Sequence, residues 1–438
     1  MAAPDEVQRW ASVAGLVPGI ATVLQDQIPQ WEDAVASDTV SATDERAVIE
    51  GRIEALFATH PPATTPEREF WGAQFDHGLA WVHFPSGSGG CGVAPRWQAE
   101  VDRRIEEAGG STRNRYLNLL GIGMGAGTII AHGTEEQQQR FLRPMFACEE
   151  LWCQMFSEPG AGSDLAALST SAKREGDHWI VNGQKVWTTL AHLAKWGMLV
   201  ARTDPDVPKH AGLTYYVVDM ESDGVDVRPL YQITGEAEFN EVYFTDVRIP
   251  DDHRIGDVGQ GWKVAMTTLM NERVAIGGGV QPRGEGAIRQ AVEIWQSHDG
   301  ADGDPVQRDE LLRLWVEAEA LRLTSARAKE AATRGTPGPE GSTAKLHWAD
   351  LNKAITAFAI DLLGPQGMTY PGGYRFTRPE ETATQTTSPH KAFLRARANS
   401  IEGGTSEVMR NILGERVLGL PGEPRTDKHQ SWREVPRS

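Results

Sequence analysis

The sequence predicts an α+β protein: an N-terminal helical domain, a middle β-domain and a C-terminal four-helix bundle. Two shifts in pattern and a set of helix caps predict it. From residue 1 to about 150 the apolar spacing is helical, and from about 151 to 258 it breaks into short β-rich runs punctuated by Gly, Asp, Asn and Pro. Beyond Gly259 the helical period returns. The expected domains are 1–150, 151–258 and 259–421, followed by a polar tail at 422–438 that is surface-bound or mobile.

In the first domain, residues 119–131 are apolar and glycine-rich, as expected of a helix packed closely on a neighbour. Thr134-Glu135-Glu136-Gln137 follows Gly133 and reads as a capping box, in which Thr and Gln side chains satisfy each other's backbone N–H groups. In the middle domain, residues 196–201, 213–218 and 241–245 are rich in β-branched and aromatic residues and read as strands. Residues 230–235 are expected in the same sheet. Asn182-Gly183, between two such runs, predicts a hairpin with a type I′ turn.

In the last domain Asp304 is placed to cap a helix that has Pro305 at its first position and runs to about Gly335. A helix of about 30 residues spans about 45 Å. Ser342 starts another helix ending near Gly364, and Thr405 caps a last one ending near Gly419. The stretch 335–341 reads as an inter-helix loop, and 371–389 as a connection rich in Thr and Pro. No internal repeat is evident.

The chain's 438 residues suffice for two or three domains with ample cores. Its formal charge of −17 argues against nucleic acid or an anionic membrane as the main partner, while a local basic patch can still hold a phosphorylated ligand. Cys91, Cys148 and Cys153 form neither a metal-spacing pattern nor a disulfide framework, which points to a reduced compartment. The N-terminus lacks the basic and apolar regions of a signal peptide, and residues 119–131 are too short to span a bilayer. A cytoplasmic protein is expected. The twelve histidines show no metal-ligand spacing, so no metal site is expected.

One dinucleotide-like fingerprint is a decoy. Gly87-Ser88-Gly89-Gly90-Cys91-Gly92 satisfies G-x-G-x-x-G, but Pro95 follows closely and no βαβ pattern surrounds it, so a tight turn is the better reading. Two other segments carry more. Glu158-Pro159-Gly160-Ala161-Gly162-Ser163-Asp164 is a polar loop in which backbone can approach a ligand closely, and Asn182-Gly183-Gln184-Lys185-Val186-Trp187-Thr188-Thr189 follows it. Far downstream stands Ile401-Glu402-Gly403-Gly404-Thr405-Ser406-Glu407-Val408-Met409-Arg410. Together, and in this order, these segments resemble the acyl-CoA dehydrogenase family, with roughly residues 50–421 readable in family order.

That resemblance implies an FAD cofactor, an acyl-CoA substrate and a catalytic carboxylate. Gln154, Phe156 and Ser157 match the family strand along the isoalloxazine edge, although the family often has an aromatic residue where Gln154 stands. Gly162 and Ser163 match the turn between flavin and CoA. Trp187 alone would read as a core aromatic; with its neighbours it matches, like Thr189, residues beside the flavin ring. Asp361 and Gly364 match the family's Gln-x-x-Gly-Gly run, and Thr405 and Glu407 match its closing FAD contacts. The family's Arg-x-x-Phe-Gly segment, which reaches a neighbouring subunit's FAD, is absent around Asp304-Pro305-Val306-Gln307.

The expected reaction removes a proton from Cα of the thioester while hydride leaves Cβ for the flavin. A carboxylate suits proton abstraction because desolvation tunes its basicity. In the commonest family pattern the base is the Glu of Tyr-Glu-Gly-Thr, a position held here by Gly403, with Glu402 one residue early. A one-residue shift turns a side chain away. Some family branches carry the base in a Glu-Arg pair on a bundle helix, and Glu272-Arg273 matches that pattern, so Glu272 is the expected base. Arg273 matches an arginine that holds the site and the CoA segment, with a surface salt bridge as its alternative. The resemblance also makes the Gly403 N–H the expected donor to the thioester carbonyl and Ser163 an expected substrate contact. An electron-transfer flavoprotein is the expected electron acceptor and a homotetramer the expected assembly. The alternatives are a non-catalytic or half-site partner subunit of a hetero-oligomeric acyl-CoA dehydrogenase and a flavin oxidase or monooxygenase on the same fold.

Overall fold

The computed structural model describes residues 42–277, 280–297, 304–333, 340–371, 376–380, 388–424 and 427–435. The chain divides into two units between Gly51 and Arg52. Helix α1 (Ala42–Thr59) crosses that division. It is followed by α2 (Glu67–Asp76), α3 (Gln98–Glu107), the short α4 (Asn114–Leu117), α5 (Ala126–His132) and α6 (Glu135–Phe146). The capping box forms as expected: Thr134 Oγ1 accepts from Gln137 N at 3.3 Å, and Gln137 Oε1 accepts from Thr134 N at 2.9 Å. Residues 121–125 are wound as a π-turn leading into α5, and residues 86–92 form a tight turn with Gly87, Gly89 and Gly92 at positive φ.

The middle region is one eight-stranded sheet. Its strands are β1 (Trp152–Met155), β2 (Ser171–Glu175), β3 (His178–Thr189), β4 (Trp196–Arg202), β5 (Leu213–Asp219), β6 (Val225–Leu230), β7 (Phe239–Pro250) and β8 (Arg254–Ile255). The order is β6-β7-β3-β2-β4-β5-β8, with β1 parallel to β4. Alternating residues such as Trp179 and Val181 of β3, Tyr216 and Val218 of β5 and Val242 and Phe244 of β7 fill one core. Strand β6 ends at Leu230, and residues 231–235 turn instead of continuing the sheet.

The hairpin expectation at Asn182-Gly183 is corrected. Residues 178–189 form one continuous strand, and the turn lies upstream at Gly176, where φ is +65°. Gly183 instead sits at a register shift between β3 and β7. A β-carbon there would come 2.5 Å from Thr170 Oγ1, so the glycine serves close strand approach.

Helices return with α7 (Gly261–Gly277), α8 (Ala287–Ser297), α9 (Pro305–Thr333), α10 (Glu340–Leu362), α11 (Pro389–Ala396) and α12 (Ser406–Ile412). Asp304 Oδ1 accepts from Val306 N at 2.8 Å and caps α9; Thr405 Oγ1 accepts from Val408 N at 3.1 Å and caps α12. Helices α8, α9 and α10 share a core of Ile288, Leu311, Leu314, Leu351, Ile355 and Phe358. Helix α7 turns its buried face toward α5 and β5: Thr268 Oγ1 bonds Thr128 Oγ1 at 2.9 Å and Tyr215 OH at 3.2 Å. Among the described residues no helix is long and apolar enough to cross a membrane, and no cluster of His, Cys, Asp or Glu is arranged for a metal ion.

Candidate active site

Strand β1 leads into Phe156 and Ser157, and β3 crosses beside them, with Val186 N donating to Ser157 O at 2.9 Å. Continuing the inward alternation of Trp179 and Val181, Lys185 is fully buried on β3. Its ammonium donates to Phe156 O at 3.0 Å and to Glu158 Oε1 at 2.8 Å. The Glu158 carboxylate also accepts from Ser169 N, Ser169 Oγ and Thr170 N, at 2.6, 2.8 and 2.9 Å. Burial alone would push this carboxyl up, but the Lys185 ammonium and the hydrogen bonds outweigh it and hold it at about 2. Glu158 and Lys185 are thus the internal anchor of the loop that carries Gly162 and Ser163. Lys185 was missed by motif reading, yet a lysine in phase with inward Trp179 and Val181 is a signal the sequence contains.

Immediately past the anchor the strand bulges between Lys185 and Thr188. Trp187 occupies the bulge at φ +60°, a left-handed conformation disfavoured for a bulky residue. The residue is 57% exposed, and its ring meets Phe239 edge-on at 5.8 Å. The neighbouring Thr188 Oγ1 is buried without a hydrogen-bond partner. A left-handed, exposed aromatic on a paired sheet is the kind of strained position found at binding sites. Space beside Gly160 and Gly162 is open, since a β-carbon at either would meet nothing within 4 Å. A flat ring system fits this face: Trp187 to lie against it, Ser157 and Thr189 as polar neighbours, and open backbone at Gly162.

The second half of the site is built on α7. Phe156 meets Tyr215 edge-on at 5.9 Å, Tyr215 bonds Thr268, and Glu272 lies one helical turn beyond Thr268 on the same face. Across from Glu272 the chain makes a left-handed turn, with φ +62° at Gly403 and +89° at Gly404. A β-carbon at Gly403 would lie 3.9 Å from Glu272 Oε1 and 4.0 Å from Lys345 Cε. The Glu272 carboxylate therefore borders the place that a side chain at 403 would enter. Lys345 donates to Asn399 O at 3.0 Å and to Gly404 O at 2.5 Å, pinning the turn. Among the described residues the Gly403 N–H has no acceptor.

Glu402 is directed elsewhere. Arg395 grips its carboxylate at 2.8 and 3.0 Å, and Asn399 Nδ2 donates to it at 2.8 Å. The remaining residues named from the sequence fall as follows. Gln154 is half-buried on β1, and Ser163 is exposed in its loop. Thr405 caps α12, while Glu407 on that helix pairs with Arg410 at 3.2 Å. Asp361 and Gly364 are exposed at the C-terminal end of α10, and among the described residues no hydrogen bond or ion pair joins them to Trp187 or Glu272. Arg273 continues α7, but its side chain lies outside the described residues.

A helical region, a single sheet and a second helical region, with a strained aromatic face and a carboxylate beside a glycine turn, make a three-segment architecture. The acyl-CoA dehydrogenase N-terminal, middle and C-terminal domain models match residues 43–149, 153–247 and 259–418. The chain belongs to the acyl-CoA dehydrogenase family, oxidoreductases acting on the CH–CH group of acyl-CoA; members of this family are flavoproteins. It is 39% identical over 358 residues to acyl-CoA dehydrogenase IpdE1 of Mycobacterium tuberculosis, covering 82% of this chain and 89% of that protein. It is 38% identical over 372 residues to acyl-CoA dehydrogenase FadE34 of the same organism, covering 84% of this chain but spanning only 48% of that longer protein. Among solved structures it resembles the ChsE4-ChsE5 complex from Mycobacterium tuberculosis, with TM-score 0.63, 25% identity and coverage of 88% of this chain and 100% of that one.

Proposed function

We propose that the protein is an FAD-dependent dehydrogenase that converts an acyl-CoA to the trans-2-enoyl-CoA, with Glu272 as the base. The observation that carries this reading is the convergence of Glu272 Oε1 on Gly403 at a left-handed turn. A glutamate at 403 would need strained backbone and would compete with Glu272 for one place. Glu272 takes the α-proton onto its carboxylate. The Gly403 N–H, held by the Lys345 clamp on Gly404 O, donates to the thioester carbonyl and stabilises the charge that develops there. Trp187, Thr189, Gln154, Phe156, Ser157, Gly162, Thr405 and Glu407 would hold the flavin, which supplies a hydride acceptor; Asp361 and Gly364 would meet the flavin of a neighbouring subunit in a homotetramer. Ser163 and Arg273 would contact the CoA portion. Electrons would pass on to an electron-transfer flavoprotein.

The test is anaerobic mixing of the purified protein with a panel of straight, branched and polycyclic acyl-CoAs, watched by flavin absorbance. Bleaching by at least one thioester is expected, and a yellow protein bleached by none of them overturns the reading. A second reading is a subunit of a hetero-oligomeric dehydrogenase, supported by the likeness to a complex of two named chains and by the missing Arg-x-x-Phe-Gly segment. Bleaching that requires a second, different chain would favour it.

A further inference from the structure

Residues 427–435 lie beyond the matched family domains, the last of which ends at 418, yet they are bound to the sheet domain. Trp432 N donates to Val207 O at 2.9 Å and Arg433 N to Pro205 O at 3.0 Å. The Trp432 indole donates to Ala167 O at 3.0 Å and lies under the Arg202 guanidinium, 4.3 Å from the ring centre. Arg202 is itself buried and donates to Leu168 O and Ala166 O at 3.0 and 2.6 Å. At the segment's other end, Lys209 pairs with Asp427 at 2.7 Å and with Asp164 at 2.8 Å. The segment is a strap joining two loops, 164–168 and 203–212.

We propose that this strap forms one wall of the coenzyme A site and holds the nucleotide end of the thioester. The inference rests on the acyl-CoA reading and extends it to a segment outside the family pattern. Asp164 directly follows Ser163, the residue assigned to the CoA portion, so sharing Lys209 places Asp427 at the edge of that site. The surface beside Gly160 and Gly162 is open. In a chain of net charge −17, the strap displays Lys428 and His429 to solvent, while Lys209 is paired with Asp164 and Asp427 and Arg433 with Asp206. Lys428 makes no ion pair among the described residues. The nucleotide end of coenzyme A carries several phosphate charges and an aromatic base, and an exposed ammonium next to a tryptophan-anchored loop is chemistry that recognises it. A strap that only stapled the fold would treat ligands with and without the nucleotide alike.

The experiment compares coenzyme A with 4′-phosphopantetheine, which lacks the nucleotide, by calorimetric titration of the full-length flavin-loaded protein. Wild type should bind coenzyme A at least about tenfold more tightly. Trp432→Ala should abolish most of that preference and leave 4′-phosphopantetheine affinity unchanged. Lys428→Ala, a surface change that leaves the core intact, should weaken coenzyme A alone by about threefold, less so at high salt. Equal loss for both ligands in Trp432→Ala, or coenzyme A affinity unchanged in both variants, overturns the inference. If Trp432→Ala does not fold, Lys428→Ala decides alone. Wild type that binds both ligands equally refutes the strap's role and leaves the acyl-CoA reading standing; wild type that binds neither refutes the acyl-CoA reading itself.

Discussion

Replacing Lys185 by methionine tests whether the buried pair with Glu158 organises the flavin face. The lysine has no solvent-exposed side chain, and its partner carboxylate is 5% exposed. Methionine keeps the length and apolar stem but leaves the Glu158 charge buried without its cation. Breaking such a pair from one side costs about 3–5 kcal/mol. Here three donors from Ser169 and Thr170 remain on the carboxylate, so the low end, about 3 kcal/mol, is expected. At about 2–4 °C per kcal/mol the thermal midpoint should fall by about 6–12 °C. Because Lys185 also holds Phe156 O and precedes the Trp187 bulge, flavin should dissociate before global unfolding. Denaturation followed by tryptophan and flavin fluorescence reads both events. Adding Glu158→Gln removes the stranded charge, so the double variant should recover most of the loss. A single variant within about 1 kcal/mol of wild type, or a double variant worse than the single, would refute the reasoning. The pH response has a definite sign. Glu158 is held at about 2 against an ordinary value of 4.5, so its contribution is complete above that ordinary value and disappears as pH falls through about 2. In Lys185→Met the acid loss should begin at higher pH.

Three further outcomes follow from the second half of the site. Glu272→Gln should retain flavin and ligand binding while slowing flavin reduction by about 10²–10⁴-fold, whereas Glu402→Gln, whose carboxylate is committed to Arg395, should reduce flavin at near the wild-type rate; the reverse pattern in stopped-flow measurements would overturn the assignment. Gly403→Ala meets no close atom but must hold φ near +62°, which costs about 1–2 kcal/mol, so reduction should slow by about tenfold at unchanged flavin content; a wild-type rate would show that the turn is not needed. Lys345→Met should release the Gly404 carbonyl and slow reduction, with Lys345→Arg recovering part of the rate, and equal rates in all three proteins would rule out the clamp.

Much of the framework was legible because its causes are local. Thr134, Asp304 and Thr405 cap helices through side-chain bonds to N–H groups two or three residues away, and inward alternation along the strands follows from the two-residue period of the pleat. The motif segments could be read for the same reason, since each is contiguous. The hairpin at Asn182-Gly183 failed because a local turn preference lost to pairing with β7 along the whole strand. What the tertiary structure alone decided is which distant groups meet. Glu272 and Gly403 are far apart in the chain, and they meet because α7 packs through Thr268 on Thr128 and Tyr215 while Lys345 holds the 403–404 turn. Likewise residues 427–435, polar and with no local reason to order, are held by Arg202 and the 203–212 connection. Caps and periods depend on neighbours in sequence, whereas a site depends on side-chain ends within a few ångströms in space, which the fold alone sets.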